Sequence, residues 1–185
     1  MSTSHDHVRH NGVTSISRRR LLGLAAVGAI YLIGPPETIS ARVEKALGRL
    51  GTVTRIGSGD AVRTSVDFAR FVDGDFGWGV VDPGHGLVFA RADRPLDAAA
   101  AALLSASGTY GPLILLSSAS ALDRPISDYL LDIQPGFNRD PVRGVYNHGW
   151  LIGDDRAISV ATQARIDSLL EIKKAQTSQE QSTSP

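Results

Sequence analysis

Asp82-Pro83-Gly84-His85-Gly86 is the stretch of this 185-residue chain whose residue types are best suited to chemistry. A histidine carried on a glycine turn offers an imidazole that can ligate a metal or move a proton. Hydrolytic zinc takes about three protein ligands and leaves a position open for water. The further ligands would have to come from elsewhere, and no glutamate stands between His85 and His148. Asp93, Asp97 and His148 are the available substitutes, at spacings that carry no ligand signature. A tight glycine turn with a solvent-facing His85 accounts for the same residues without chemistry. Other catalytic patterns are missing: the chain has no Gly-x-Ser-x-Gly elbow, and its only lysines, Lys45, Lys173 and Lys174, sit in no phosphate-loop motif. A serine could pair with His85 or His148 in space, which spacing alone does not show. The absence of cysteine excludes disulfides, thiolate zinc sites and a cysteine nucleophile.

The elements that would position such residues are marked by a repetition. YLIGPPETIS at 31–40 returns 119 positions later as WLIGDDRAIS at 150–159. Each reads as a strand, a glycine turn and a helix start, with Ser40 and Ser159 placed to satisfy free backbone N–H groups. Further strands are expected at 53–56, 78–81 and 113–116, with those at 30–33 and within 145–152 belonging to the repeated phrase. Between them Ile39, Val43, Ala46, Leu47 and Leu50 recur at helical spacing, as do Val62, Val66 and Ala69. Pro95, with Asp93 before it, opens an alanine-rich helix over 96–105, and Asp123 with Pro125 opens one over 126–133. This alternation predicts an α/β fold, a parallel sheet with helices on both faces. Ligands of such sheets sit beyond the carboxyl ends of the strands. That edge is expected to carry Gly34, 82–86, Ser117-Ser118 and Gly153-Asp154-Asp155.

Length favours one domain, over 30–172. Nineteen basic residues balance nineteen acidic ones, so no broad positive field points to nucleic acid. Residues 1–17 form a polar leader in which His5, His7 and His10 lack core-forming neighbours, and 173–185 form a solvated tail. The segment 18–41 has two readings. Ser17-Arg18-Arg19-Arg20-Leu21-Leu22 followed by an apolar run looks like a twin-arginine export signal, too short to span a bilayer, with a cleavage option near Ala41. Alternatively it is a buried helix feeding the first strand.

Two resemblances follow from these motifs. The 82–86 turn resembles the opening motif of zinc-dependent N-acetylmuramoyl-alanine amidases, which implies His85 as a metal ligand. The downstream glutamate of that family is lacking here. The second resemblance covers most of the chain. Arg55-Ile56-Gly57-Ser58-Gly59-Asp60, then Thr64, Pro95-Leu96-Asp97-Ala98-Ala99-Ala100, Gly111-Pro112-Leu113-Ile114-Leu115-Leu116, Trp150-Leu151-Ile152-Gly153 and Ile158-Ser159 are together similar to the type 2 cell-wall-binding repeat of Gram-positive surface proteins. The likeness implies the tail of one unit at 31–50 and a complete unit over 55–170. It departs from the pattern at Ala61 and Val62, and at Pro35 and Asp154 in place of the tail's second glycine.

The resemblance implies a noncatalytic module, extracellular or in the cell wall, that binds an anionic wall glycopolymer or anchors a surface protein. It implies Arg55, Asp60, Arg63, Thr64, Asp97, Gly34 and Gly153 as ligand-binding residues, with Arg91 and Arg94 as further cations. Glycine turns at helix starts suit negative charge. No cofactor or metal is expected, nor nucleic acid or a membrane span. Self-association is expected to supply the missing neighbouring units. The alternatives are a zinc-dependent peptidoglycan hydrolase centred on the turn at 82–86, and a degenerate unit kept for packing against partner chains.

Overall fold

The computed structural model describes residues 28–106, 111–136 and 146–173. The leader, the arginine-led segment up to residue 27 and most of the C-terminal tail lie outside the described residues. The elements are β1 (Gly28–Ile33), α1 (Ala41–Leu47), β2 (Gly51–Ile56), α2 (Ala61–Arg70), β3 (Val72–Asp73), β4 (Phe76–Gly77), β5 (Gly86–Arg91), α3 (Pro95–Ala106), β6 (Leu113–Leu116), α4 (Arg124–Asp132), β7 (His148–Leu151) and α5 (Val160–Leu170). The protein is α/β with parallel sheets, as the alternation predicts.

The strands fall into separate ladders. β1 pairs with β2 in parallel, Leu32 opposite Arg55. β6, β5 and β7 form a three-stranded parallel sheet with β5 in the centre, and β3 and β4 make a small antiparallel hairpin. β6 is not extended by β2. Helix α2 closes its outer edge instead: Ser65 Oγ accepts from the Leu115 N–H at 3.0 Å and donates to Val62 O at 2.7 Å.

The centre of the sheet corrects one expectation. No strand forms at 78–81, where Gly77 and Gly79 take φ of +103° and +60° that break an extended run. The central strand is β5, whose run Leu87-Val88-Phe89-Ala90 is fully buried. A continuous apolar run is what a strand covered on both faces needs. Its alternate side chains enter two cores. Leu87 and Phe89 join Val62, Val66, Ile126, Leu130 and Ile166 from α2, α4 and α5. Val88 and Ala90 meet Ala101 of α3 on the opposite face, beside Trp150. Helices therefore cover both faces of this sheet.

Helix starts follow local chemistry with one exchange of roles. Asp60 caps α2 through the Arg63 N–H at 2.9 Å. Asp123 precedes α4 but makes no side-chain cap bond. Its carboxylate instead accepts from the Ser117 N–H and hydroxyl, tying the end of β6 to the start of α4. Asp93 likewise serves Arg91, at 2.8 Å, although α3 does begin at Pro95. Among the described residues no helix is long and apolar enough to cross a membrane.

Candidate functional site

The two repeated phrases fold alike. Gly34 and Gly153 take φ of +125° and +127°, a region open to glycine and costly for other residues. In the first copy the Thr38 and Ile39 N–H groups donate to Pro35 O, both at 3.0 Å. In the second those of Ala157 and Ile158 donate to Asp154 O at 3.0 and 3.1 Å. Ser40 and Ser159 then cap α1 and α5 with φ/ψ of −59°/153° and −61°/154°. The short hydrogen-bonding side chain at the cap and the glycine before the turn account for this agreement.

The copies differ in what surrounds them. At the first corner Arg55 reaches across from β2. Its guanidinium donates to Gly34 O and Ile39 O, each at 2.8 Å, and pairs with Glu44 at 2.8 Å. Its donors are thus spent on holding the corner. At the second corner Arg94 bridges Asp97 Oδ2 at 2.6 Å and Asp154 Oδ1 at 3.1 Å. Asp154 also accepts from the Ala157 N–H at 3.0 Å, and that bond, with Arg94 after it, holds its carboxyl below the usual carboxylate range. Pro35 makes no such bond, so the departure from glycine has a different consequence in each copy.

The expected ligand-binding residues thus gather in three places. Gly34, Asp60 and Thr64 line a cleft of about 480 Å³, walled by Ile33, Phe68, Trp78, Leu113 and Leu115. It lies among the first corner, α2, α3 and β6, and its walls are largely apolar. Asp97 and Gly153 meet at the second corner. Arg63 stands apart, on a groove of about 450 Å³ between α2 and α4 that it shares with Arg70, Arg124, Asp67 and Asp128. Arg70 pairs with Asp132 and lies 4.9 Å from the Tyr129 ring centre, and Arg124 pairs with Asp128 at 3.5 Å. No ion pair of Arg63 occurs among the described residues.

The turn at 82–86 lies at the amino end of β5. This corrects the expectation that it sits beyond a strand's carboxyl end, and the reason is that the strand follows the turn. Gly84 takes φ of +108°, and Asn147 pins the turn by accepting from the Gly84 and His85 N–H groups at 2.8 and 3.2 Å. Asn147 also donates to Ile133 O at 2.8 Å. His85 is half-exposed, with Nε2 3.0 Å from Asp82 Oδ1. The His148 N–H donates to His85 O, so the two histidines adjoin at the start of the β5–β7 ladder. Among the described residues no three histidine, aspartate or glutamate side chains come together as a metal would require. The described residues do not fit a zinc hydrolase centre.

Sequence reasoning passed over Asn147 and Ser65, whose partners are 62 and 50 positions away, and read Asp123 as a helix opener rather than as the partner of Ser117. A polar residue between apolar runs was the only signal for the first two. Compared with known proteins, the chain matches no family model and no curated sequence.

Proposed function

We propose that this protein is a noncatalytic module of the cell envelope that holds a wall glycopolymer or helps fix a surface protein to the wall. The observation that supports this reading is the common conformation of the two decapeptides, since a repeat-built binding module needs its repeated phrase to form a repeated corner. The polymer-binding surface in this proposal is the groove between α2 and α4. Guanidinium groups only donate and carboxylates only accept. Arg63, Arg124, Asp67 and Asp128 side by side therefore offer both kinds of partner to sugar hydroxyls, and the arginines offer charge-assisted bonds to phosphate. Arg124 is 91 % exposed and its pair is long, so a ligand can re-engage it cheaply.

The test is cosedimentation of the full chain with purified Gram-positive cell wall. Binding is expected at low ionic strength, with loss as salt is raised, because exposed phosphate contacts are screened over a Debye length of about 10 Å at 0.1 M. Replacing both Arg63 and Arg124 by alanine is expected to reduce binding at low salt. No pelleting with wall at low salt would remove the proposal. The hydrolase alternative has only the Asp82–His85 contact behind it. Zinc bound stoichiometrically and lost in His85→Ala, with peptidoglycan release by the parent, would favour it instead.

A further inference from the structure

The repeated corner uses opposite strand edges in its two copies. Along a strand, successive N–H groups point to alternate sides. In β1 the Gly34 N–H donates toward β2, to Ile56 O at 2.7 Å. In β7 the N–H groups that donate toward β5 belong to His148 and Ile152, at 2.9 and 2.8 Å. With the 119-position offset, these correspond to Ala29 and Ile33, whose N–H groups point away from β2. The outer edge of β7 is therefore the counterpart of the edge with which β1 holds β2.

We infer that the outer edge of β7 is a docking edge for β2 of a second copy of this chain, in parallel and with Leu151 opposite Arg55. Beside that edge runs a groove of about 330 Å³ lined by Gly149, Leu151, Gln163, Asp167 and Glu171. Its lining carries two carboxylates and neither lysine nor arginine. At the first corner the same space is filled by Arg55 of β2, bonded to Gly34 O, Ile39 O and Glu44. Their counterparts at the second corner are Gly153 O, Ile158 O and Gln163, whose amide donates to Ile158 O at 2.8 Å and would be displaced by Arg55, with Asp167 one helical turn further on. Arg55 of a second copy supplies the cation that this acidic groove lacks.

The resident competitor is held by pairing rather than by burial. β1 has a single buried side chain, Leu32, and α1 has none. Val43 and Leu50 are 45 % and 65 % exposed, whereas their counterparts Thr162 and Leu169 are both 3 % exposed under α4 and its neighbours. The helix of the first copy is thus poorly covered while α5 is built into the core, and β1 itself is held by its ladder with β2, by Arg55 and by Tyr31 stacked on Phe76 at 3.9 Å. Removal of β1, as export processing near Ala41 would bring about, opens the same place on β2. Because donor and acceptor edges differ, the contact is heterologous and builds head-to-tail assemblies.

The chain has no cysteine, so single thiols can report the register. Thr52 lies opposite Ala29, whose counterpart is His148, and both Thr52 and His148 are exposed. Full-length Thr52→Cys and His148→Cys chains are mixed and treated with a short thiol-to-thiol crosslinker. The expected result is a mixed dimer in excess of the products from either chain alone. Its yield should fall roughly tenfold when the His148→Cys chain also carries Asp167→Lys, through like-charge repulsion of Arg55. It should rise when the Thr52→Cys chain also carries Leu32→Asp, which unseats β1. A mixed dimer no more abundant than the single-chain products, or one indifferent to Asp167→Lys, overturns the inference. If circular dichroism shows that the Leu32→Asp chain does not fold, the parent mixture and the Asp167→Lys arm decide alone.

Discussion

Replacing the two corner glycines by alanine, one at a time, separates backbone strain from packing. Gly34 and Gly153 have φ within 2° of each other, so alanine meets the same backbone penalty at both, about 1–3 kcal/mol. The surroundings differ. At Gly34 an added Cβ finds Thr38 Cβ at 3.7 Å, an ordinary contact. At Gly153 it lies 2.6 Å from the Cβ of Ala157, a residue 1 % exposed with no side chain to swing aside, and 3.4 Å from Asp97 Oδ2. Overpacking of this kind adds about 1–3 kcal/mol. Gly34→Ala should therefore cost about 1–3 kcal/mol and Gly153→Ala about 2–6 kcal/mol. Fraying of the poorly covered β1–α1 element caps the first value and widens the gap. Urea unfolding followed by far-ultraviolet circular dichroism measures both, provided the slopes match the parent. Equal costs, or a larger cost at Gly34, would refute the argument that the second corner is the one built into the core.

Two other predictions concern polar groups. Asn147→Ala leaves the Gly84 and His85 N–H groups and Ile133 O without their partner and should lower stability by about 2–4 kcal/mol; a loss under about 1 kcal/mol in urea unfolding would show that the turn at 82–86 holds itself. Asp154 has a folded-state pKa lowered first by the Ala157 N–H and then by Arg94. A carboxylate with a depressed folded pKa stabilises the fold above its unfolded value and loses that contribution as pH falls through the folded value. The urea midpoint of the parent should thus drop more steeply below about pH 4 than that of Asp154→Asn, and parallel curves would contradict the assignment.

Local chemistry made much of the architecture readable. The apolar spacing of Val62, Val66 and Ala69 places α2's inner face, and all three are buried. The glycine before a serine cap specifies a strand-to-helix corner wherever it occurs, which is why both decapeptides fold as their sequences suggest. The central strand was harder to read. Glycine-flanked Trp78-Gly79-Val80-Val81 and the run Leu87–Ala90 are both short and apolar, and periodicity does not separate a buried strand from a partly exposed loop. The choice falls to backbone angles at Gly77 and Gly79 and to pairing with β6 and β7.

By itself, then, the sequence determined the helices, the two equivalent corners and the absence of thiol chemistry, because these depend on residue identity over a few neighbouring positions. Tertiary structure alone decided where the charges work. Arg55 serves a corner 21 positions away, Arg63 faces a groove shared with a helix that begins more than fifty residues later, and the turn at 82–86 opens its strand. It also decided that the helix following one copy of the repeated phrase is built into the core while the helix following the other stays uncovered. The physical reason is that burial and pairing are set by elements brought together across the whole chain, to which a decapeptide's own residues carry no reference.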